Sequence, residues 1–324
     1  MRAAVYDRTG PAAEVLRVTD VEQPEPGPGE VRVRVHVSGV NPTDVKTRSG
    51  ATPRPIDGFQ IPHQDGAGVI DAVGPGVPAD REGQRVWVWM AAAGRRWGTA
   101  AQWTVVPARQ AVPLPDGISF ELGASLGVPA ITARHCVLAD GPVRDAVVLV
   151  AGGAGAVGHF AIELAVWGGA AQVIATASGP AKAQLAKEAG AGQVIIYTEP
   201  DAAERIRSVA GPVDRIVEVA LGANLGLDLA VSRPGTVVVN YAAGPEDPAL
   251  PVRACMTANI VLRFMLLYTV PPADLDAAVR DITAALGAGA LTELPVHRFG
   301  LDEITAAQEA VERGVTGKVL VIPS

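Results

Sequence analysis

Three glycines at fixed spacing carry the clearest chemical signal in this chain. Gly153, Gly155 and Gly158 follow a short apolar run, residues 146–151, and precede an apolar stretch that ends at Gly168. A strand, a glycine turn and a helix in this order are typical of dinucleotide binding. The first glycine permits the tight turn, the second lets backbone N–H groups approach a pyrophosphate, and the third lets helix and strand pack closely. The helix start adds free N–H groups and a partial positive charge. We therefore predict a dinucleotide site here.

The residues after this turn indicate which nicotinamide cofactor the site takes. An NAD enzyme places Asp or Glu about twenty residues downstream, where the carboxylate binds a ribose hydroxyl. No acidic residue lies between Glu163 and Glu188, and Thr176, Ser178 and Lys182 occupy the stretch instead. Hydroxyl groups and a lysine suit a 2′-phosphate, which a carboxylate would repel. A close lysine–phosphate pair near the surface has a Coulomb energy of about 4 kcal/mol before desolvation is subtracted. The sequence therefore favours NADPH over NADH.

Composition narrows the class of protein. The 324 residues predict two domains, and a hydrophobic fraction of 48% allows a sizeable core. A net charge of −7 argues against nucleic acid or an anionic membrane as the main partner. No apolar run is long enough for a signal peptide or a membrane span. The two cysteines, Cys136 and Cys255, form neither a disulfide framework nor a metal lobe, so we expect a cytoplasmic protein.

The patterning of the chain predicts two kinds of domain. The N-terminal part contains short strands with turn residues between them, and Val31–Val37 alternates apolar and polar residues with period two. From about residue 121 strands alternate with helices, which is typical of a doubly wound parallel sheet. A strand-like tail follows residue 295. We expect residues 1–121 and 295–324 to form a discontinuous β domain, and residues 122–294 to form the α/β domain.

Five motifs in order resemble a known family over nearly the whole chain. They are Gly39–Asp44, Gln64–Gly74, Gly123–Ala133, Val150–Gly158 and Thr316–Leu320. The chain resembles the medium-chain dehydrogenase/reductases, and among them the zinc-free quinone oxidoreductase (zeta-crystallin-like) branch. The resemblance implies a Rossmann domain, a GroES-like β-barrel domain and a cofactor lying in the cleft between them.

The same comparison shows which metal ligands are missing. Zinc-dependent relatives have Cys where Asn41 stands, His where Gln64 stands, and Cys where Val128 stands. His63 lies one place too early for the ligand position, and Asp65 alone is of ligand type. We therefore expect no metal site.

The resemblance also implies a set of cofactor contacts. Lys182, Tyr197 and Arg313 fall where relatives hold the adenosine phosphate, and Thr132 resembles the threonine beside the nicotinamide. Tyr241 follows the strand Gly235–Asn240, and ligands bind at the carboxyl ends of such strands, although core packing explains it equally well. The full set predicted to contact NADPH is Thr132, Gly153, Ala154, Gly155, Ala156, Val157, Thr176, Ser178, Lys182, Tyr197, Asn240, Tyr241, Arg313 and Lys318.

Three residues near the N-terminus are candidates for the chemistry. Hydride transfer leaves negative charge on an acceptor oxygen, which a hydrogen-bond donor must stabilise. The amide of Asn41 can donate to such a carbonyl or to ribose, or simply form an Asn-Pro turn. Asp44 more readily orders this turn than acts as an acid. Lys46 replaces a tyrosine found in relatives, and either donates a proton, binds an acidic substrate or lies on the surface.

Aromatic side chains suggest where a flat substrate would bind. Trp97 either caps an apolar substrate or rests on a subunit interface. Phe264 and Tyr268, in a predicted late strand Asn259–Tyr268, line either a pocket or a dimer seam, because relatives pair edge to edge there. His36 alternates with arginines and should face solvent.

These observations predict an NADPH-dependent, zinc-independent reductase of quinones or α,β-unsaturated carbonyls that forms a homodimer. An enoyl or alkenal reductase of a specialised biosynthetic pathway is the alternative among enzymes. A protein that binds NADPH without turnover is the alternative from another class.

Overall fold

A computed structural model describes residues 1–244 and 247–323. The chain divides into two compact units. The first unit comprises Met1–Val128 with Glu293–Ser324, and the second comprises Pro129–Thr292. None of the helices in the described ranges is long and apolar enough to cross a membrane.

The strands are numbered in chain order. They are β1 Arg2–Val5, β2 Arg17–Asp20, β3 Glu30–Val40, β4 Asp65–Val73, β5 Arg85–Val88, β6 Trp103–Pro107, β7 Ala111–Pro113, β8 Val147–Val150, β9 Gln172–Ala177, β10 Gln193–Ile196, β11 Val213–Glu218, β12 Ser232–Asn240, β13 Val261–Phe264, β14 Val296–Gly300 and β15 Lys318–Ile322.

The α-helices follow the same convention. They are α1 Ala12–Val15, α2 Pro42–Ser49, α3 Phe120–Leu138, α4 Ala156–Trp167, α5 Pro180–Glu188, α6 Ala202–Ala210, α7 Leu221–Val231, α8 Val252–Thr257, α9 Pro272–Gly287 and α10 Ile304–Glu312. Short 3₁₀ turns lie at Ala79–Arg81, Ala108–Gln110, Leu267–Thr269 and Leu301–Glu303.

The first unit is built on a seven-stranded sheet of order β14-β15-β3-β4-β5-β7, with β6 also paired to β3. All of these pairs are antiparallel except β14 with β15. Strand β3 shows the predicted alternation, because Val31, Val33 and Val35 are buried while Arg34 and His36 face solvent. A separate antiparallel pair, β1 with β2, completes the strands of this unit.

The second unit contains a six-stranded parallel sheet of order β10-β9-β8-β11-β12-β13. The strand order reverses between β8 and β11, which is the topological switch point where such sheets bind ligands. Helix α4 follows β8 and is buried around most of its surface, as its apolar sequence predicts. The predicted α/β fold is confirmed, because a doubly wound parallel sheet and a separate, largely antiparallel sheet are both present.

One predicted element is wrong in its extent. The strand expected over Asn259–Tyr268 ends at Phe264, and Tyr268 lies in the 3₁₀ turn Leu267–Thr269. The backbone leaves the sheet at Met265, whose N–H still bonds to the carbonyl of Asn240. An apolar run cannot by itself reveal where a strand becomes a turn.

Candidate active site and cofactor site

The glycine turn joins β8 to α4, as the spacing predicts. Gly153 packs closely against β9. A Cβ at this position would lie 2.7 Å from the Cβ of Ala175. At Gly158 a Cβ would collide with the carbonyl oxygen of Gly152. Both positions therefore require glycine for the packing of strand, turn and helix.

Gly155 differs from its two neighbours in the motif. A Cβ there would meet no atom closer than the Gly152 oxygen at 3.4 Å, which is ordinary van der Waals contact. Its φ of −76° also suits any residue. Nothing in the protein requires glycine at this position, and Gly155 immediately precedes the first turn of α4, whose N–H groups at Ala156 and Val157 have no acceptor within the helix.

The ends of β9 and β10 lie beside this turn. Gly153 N–H donates to the Thr176 carbonyl at 3.0 Å, and Gly152 N–H donates to the Thr176 hydroxyl at 3.2 Å. The N–H of Tyr197 donates to the Ala177 carbonyl at 3.0 Å. These bonds bring the carboxyl ends of three neighbouring strands to one edge of the sheet.

Three side chains at this edge are accessible. Lys182 is exposed in the first turn of α5 and makes no ion pair with any residue in the described ranges. Ser178 precedes that helix and is half-buried, and the ring of Tyr197 is 48% exposed. The first turn of α5 carries no acidic residue.

A cavity of about 400 Å³ lies at the carboxyl ends of β12 and β13. Asn240, Tyr241 and Phe264 line it, and the Oδ1 atom of Asn240 is buried without a hydrogen-bond partner among the described residues. Tyr268 is half-buried and does not line this cavity. Thr132 is buried in α3.

A buried polar network occupies the first unit. The ammonium of Lys318 donates to Oδ1 of Asn41 at 2.7 Å, and Nδ2 of Asn41 donates to Asp65 at 2.7 Å. Asp65 also accepts from the N–H of Val128 at 2.9 Å. All three side chains are at most 2% exposed. The carboxylate of Asp44 accepts from the N–H of Asn41 at 2.8 Å and so orders the start of α2.

Burial dominates the electrostatics of this network. It raises the pKa of Asp44 to about 8, with the charge of Asp65 adding to the effect. It raises the pKa of Asp65 to about 6, against the opposing influence of Lys318 and the Asn41 amide. Burial lowers the pKa of Lys318, and the two carboxylates oppose this shift. Asp65 and Lys318 therefore oppose each other's shift, as oppositely charged neighbours do.

Sequence reasoning missed the role of His63. This residue is fully buried at a φ of +77°, with Nδ1 2.9 Å from the Ser38 hydroxyl and Nε2 3.3 Å from the Gln308 amide. Burial lowers its pKa to about 3, so the ring is neutral. Gln308 in turn accepts from the buried guanidinium of Arg48 at 3.0 Å. These contacts link α2 and α10, and no short sequence motif predicts them.

A buried pair of carboxyl groups in the second unit was also missed. Glu218 ends β11 and accepts hydrogen bonds from Ala220 N–H and the Asn224 amide. Asp228 on α7 lies against Glu218, and burial followed by the Glu218 charge raises the pKa of Asp228 to about 8. Apolar neighbours in the sequence gave no indication that two acids meet here.

Of three further predicted site residues, two are exposed and one is half-buried. Lys46 is exposed on α2. Arg313, just after α10, is exposed and lies 3.7 Å from Glu309. Trp97 is half-buried and packs edge-on against Phe59, with ring centroids 6.0 Å apart. The predicted roles of these three residues remain predictions.

Comparison with known proteins matches both units to one family. Residues 27–116 match the alcohol dehydrogenase GroES-like domain, and residues 156–284 match the zinc-binding dehydrogenase domain. Rat (Rattus norvegicus) quinone oxidoreductase is 34% identical over 330 residues, covering 99% of this chain and 98% of the relative. The chain belongs to the quinone oxidoreductases of the medium-chain dehydrogenase/reductase family. It is an oxidoreductase.

Two solved structures extend the comparison. An NAD-dependent alcohol dehydrogenase is 27% identical, with a TM-score of 0.89 and 99% of each chain covered. The mycobacterial protein Rv1454c complexed with NADPH is 28% identical, with a TM-score of 0.85 and 100% of each chain covered.

The residues of this chain do not fit the zinc that one family description names. In the described ranges no three His, Cys, Asp or Glu side chains converge as metal ligands. Asn41 and Val128 stand where the resemblance places cysteine ligands, and both hydrogen-bond to Asp65 instead. An ammonium group, Lys318, lies beside them and repels a cation. No step of the reaction is therefore assigned to zinc.

Proposed function

We propose that this oxidoreductase binds NADPH at the carboxyl edge of the second unit's sheet and reduces a quinone or an α,β-unsaturated carbonyl. The observation that carries the proposal is the chemistry at the end of β9. Exposed Lys182, with Ser178 before it and no acid in the first turn of α5, suits a 2′-phosphate and offers no carboxylate to a ribose hydroxyl.

The glycine turn supports the same cofactor. Gly155 is open where its neighbours in the motif are enclosed, so its missing side chain leaves room for a pyrophosphate to approach the backbone. The N–H groups of Ala156 and Val157 would bind the phosphate oxygens at the positive end of α4. The residues present therefore fit a dinucleotide.

The nicotinamide end requires a different environment. The cavity beside Asn240 and Tyr241 is large enough for a nicotinamide ring, and the unpaired Oδ1 of Asn240 could accept a hydrogen bond from a carboxamide. When bound, NADPH supplies the hydride. The protein's part is to hold the ring, exclude water and stabilise charge on the acceptor.

We assign to Asn41 the stabilisation of negative charge on the acceptor. Its Nδ2 has two N–H bonds, and one of them is used by Asp65. The second donates, in this proposal, to the acceptor oxygen that gains negative charge. The quinone is placed first among acceptors because the curated relatives are named quinone oxidoreductases.

We also propose that the protein forms a homodimer. Strand β13 lies at one edge of the six-stranded sheet and carries exposed apolar side chains at Val261 and Phe264, with Leu266 following. An open edge strand of this kind favours pairing with a second copy about a two-fold axis.

Oxidation of NADPH tests the proposal. We expect the purified protein to oxidise NADPH when 1,4-benzoquinone or 2-cyclohexenone is added, and the Asn41→Leu variant to lose about 10²-fold in turnover while still binding NADPH. Absence of turnover with every quinone and enone tried would leave a binding protein and refute the reductase assignment.

A further inference from the structure

The orientation of the Asn41 amide is set by two charged neighbours. Its oxygen faces the ammonium of Lys318 at 2.7 Å, and its nitrogen faces the carboxylate of Asp65 at 2.7 Å. A rotation of the amide by 180° would set nitrogen against ammonium and oxygen against carboxylate. Both hydrogen bonds would then be lost, because neither pair would contain both a donor and an acceptor. Only one of the two amide orientations is compatible with this pair of charges.

The backbone of α3 is shaped to admit the carboxylate of Asp65. A Cβ at Gly127, in α3, would collide with this carboxylate. At Gly39, in β3, a Cβ would collide with the carbonyl oxygen of Ala124 and would lie 3.2 Å from Cε of Lys318. The contact of Asp65 with α3 is therefore part of the packing rather than a chance contact.

The network joins separate segments of the chain. Asp65 binds the Asn41 side chain just before α2 and the Val128 backbone in α3. Lys318 lies 3.9 Å from the Asp65 carboxylate and supplies the positive charge. Its ammonium holds the Asn41 Oδ1 atom in place through a charge-assisted hydrogen bond.

We propose that Lys318 and Asp65 are positioning residues that fix the Asn41 amide with its second N–H directed at the acceptor. The inference rests on the proposed role of Asn41. It assigns Lys318 a different task from cofactor binding: the residue acts through Asn41 and leaves NADPH affinity unchanged.

A double variant separates positioning from folding. Lys318→Met leaves Asp65 as a buried, unpaired charge, so we expect a lower unfolding temperature and turnover reduced about tenfold or more. Asp65→Asn combined with Lys318→Met removes both charges. We expect it to recover most of the unfolding temperature but not kcat, because the neutral partners no longer dictate the amide orientation. NADPH affinity should match the wild type in both variants.

The outcomes are distinct. Recovery of kcat together with the unfolding temperature in the double variant would show that Lys318 merely neutralises Asp65, and would overturn the inference. Unchanged kcat in Lys318→Met would overturn it as well.

If the wild-type chain turned over no acceptor, the proposed function would be the part that failed. In that event the side-chain amide signals of ¹⁵N-labelled Asn41 still test the network. The inference predicts slow solvent exchange in the wild type and fast exchange in the double variant, and equal exchange would refute it.

Discussion

Gly153 lies so close to the side chain of Ala175 that a Cβ at residue 153 would stand 2.7 Å from the Ala175 Cβ, whereas at Gly155 the nearest atom is 3.4 Å away. The two glycines of this motif are therefore subject to different steric constraints. Packing requires glycine at residue 153 and does not require it at residue 155.

This difference predicts opposite phenotypes for two single substitutions. Gly153→Ala should destabilise the protein by about 1–3 kcal/mol through overpacking. Gly155→Ala should leave the free energy of unfolding within about 0.5 kcal/mol of the wild type, and should weaken NADPH binding about tenfold or more. Urea unfolding and cofactor titration of both variants measure this. Unimpaired NADPH binding by Gly155→Ala would mean that the turn does not contact the pyrophosphate.

Cofactor choice depends on Lys182. Lys182→Ala should weaken NADPH binding about tenfold or more and leave NADH binding unchanged, because only NADPH carries the 2′-phosphate. Lys187→Ala is the matched control, since Lys187 is also exposed on α5 but lies in its last turn. An equal loss for both cofactors, or an equal effect of the control, would contradict the phosphate contact.

The Glu218–Asp228 pair predicts a pH dependence of stability. The pKa of Asp228 is raised to about 8 in the folded chain, against an ordinary value of 3.8, so the folded state holds a proton that the unfolded chain releases. The stabilisation from this group is complete at low pH and is lost as pH rises through about 8. Asp228→Asn removes this loss. The free energy of unfolding of this variant, relative to that of the wild type, should rise by up to about 1.4 kcal/mol per pH unit between pH 5 and 8.

Urea unfolding at pH 5, 6.5 and 8 provides the test. Asp20→Asn, at an exposed position, should follow the wild type in parallel. Parallel behaviour of Asp228→Asn as well would show that the pKa of Asp228 is not raised in the folded chain.

The edge strand β13 predicts the oligomeric state. The wild type should elute with twice the 33.3 kDa mass of one chain in size-exclusion chromatography with light scattering. Val261→Lys should give monomers, because a lysine disfavours edge-to-edge pairing. Val209→Lys, on the exposed face of α6, should remain dimeric. A monomeric wild type would refute the dimer.

The fold was largely predictable from the sequence. Period-two alternation located β3, and the glycine spacing located the turn after β8, because both patterns depend on local geometry. The end of β13 was not predictable, since an apolar run contains no signal for the point where pairing stops.

The site was predictable only in part. The spacing of the glycine motif identified Gly153 and Gly155 as candidate site residues, and the resemblance to the family identified Asn41. The contact of Lys318 with Asn41 joins residues 277 positions apart, and that of Asp65 with Val128 joins residues 63 apart. Such contacts follow from tertiary packing, which a single sequence does not display. Lys318 was predicted among the cofactor contacts, and that role stays a prediction; its burial against Asn41 was not foreseen.

The central claim is tested most directly by fluorescence titration of the wild-type protein with NADPH and with NADH. The proposal predicts that NADPH binds with a Kd about tenfold or more below that of NADH, because Lys182 meets the 2′-phosphate and no carboxylate meets the ribose. Equal affinities would contradict the choice of NADPH, and absence of binding by either would contradict the reductase itself.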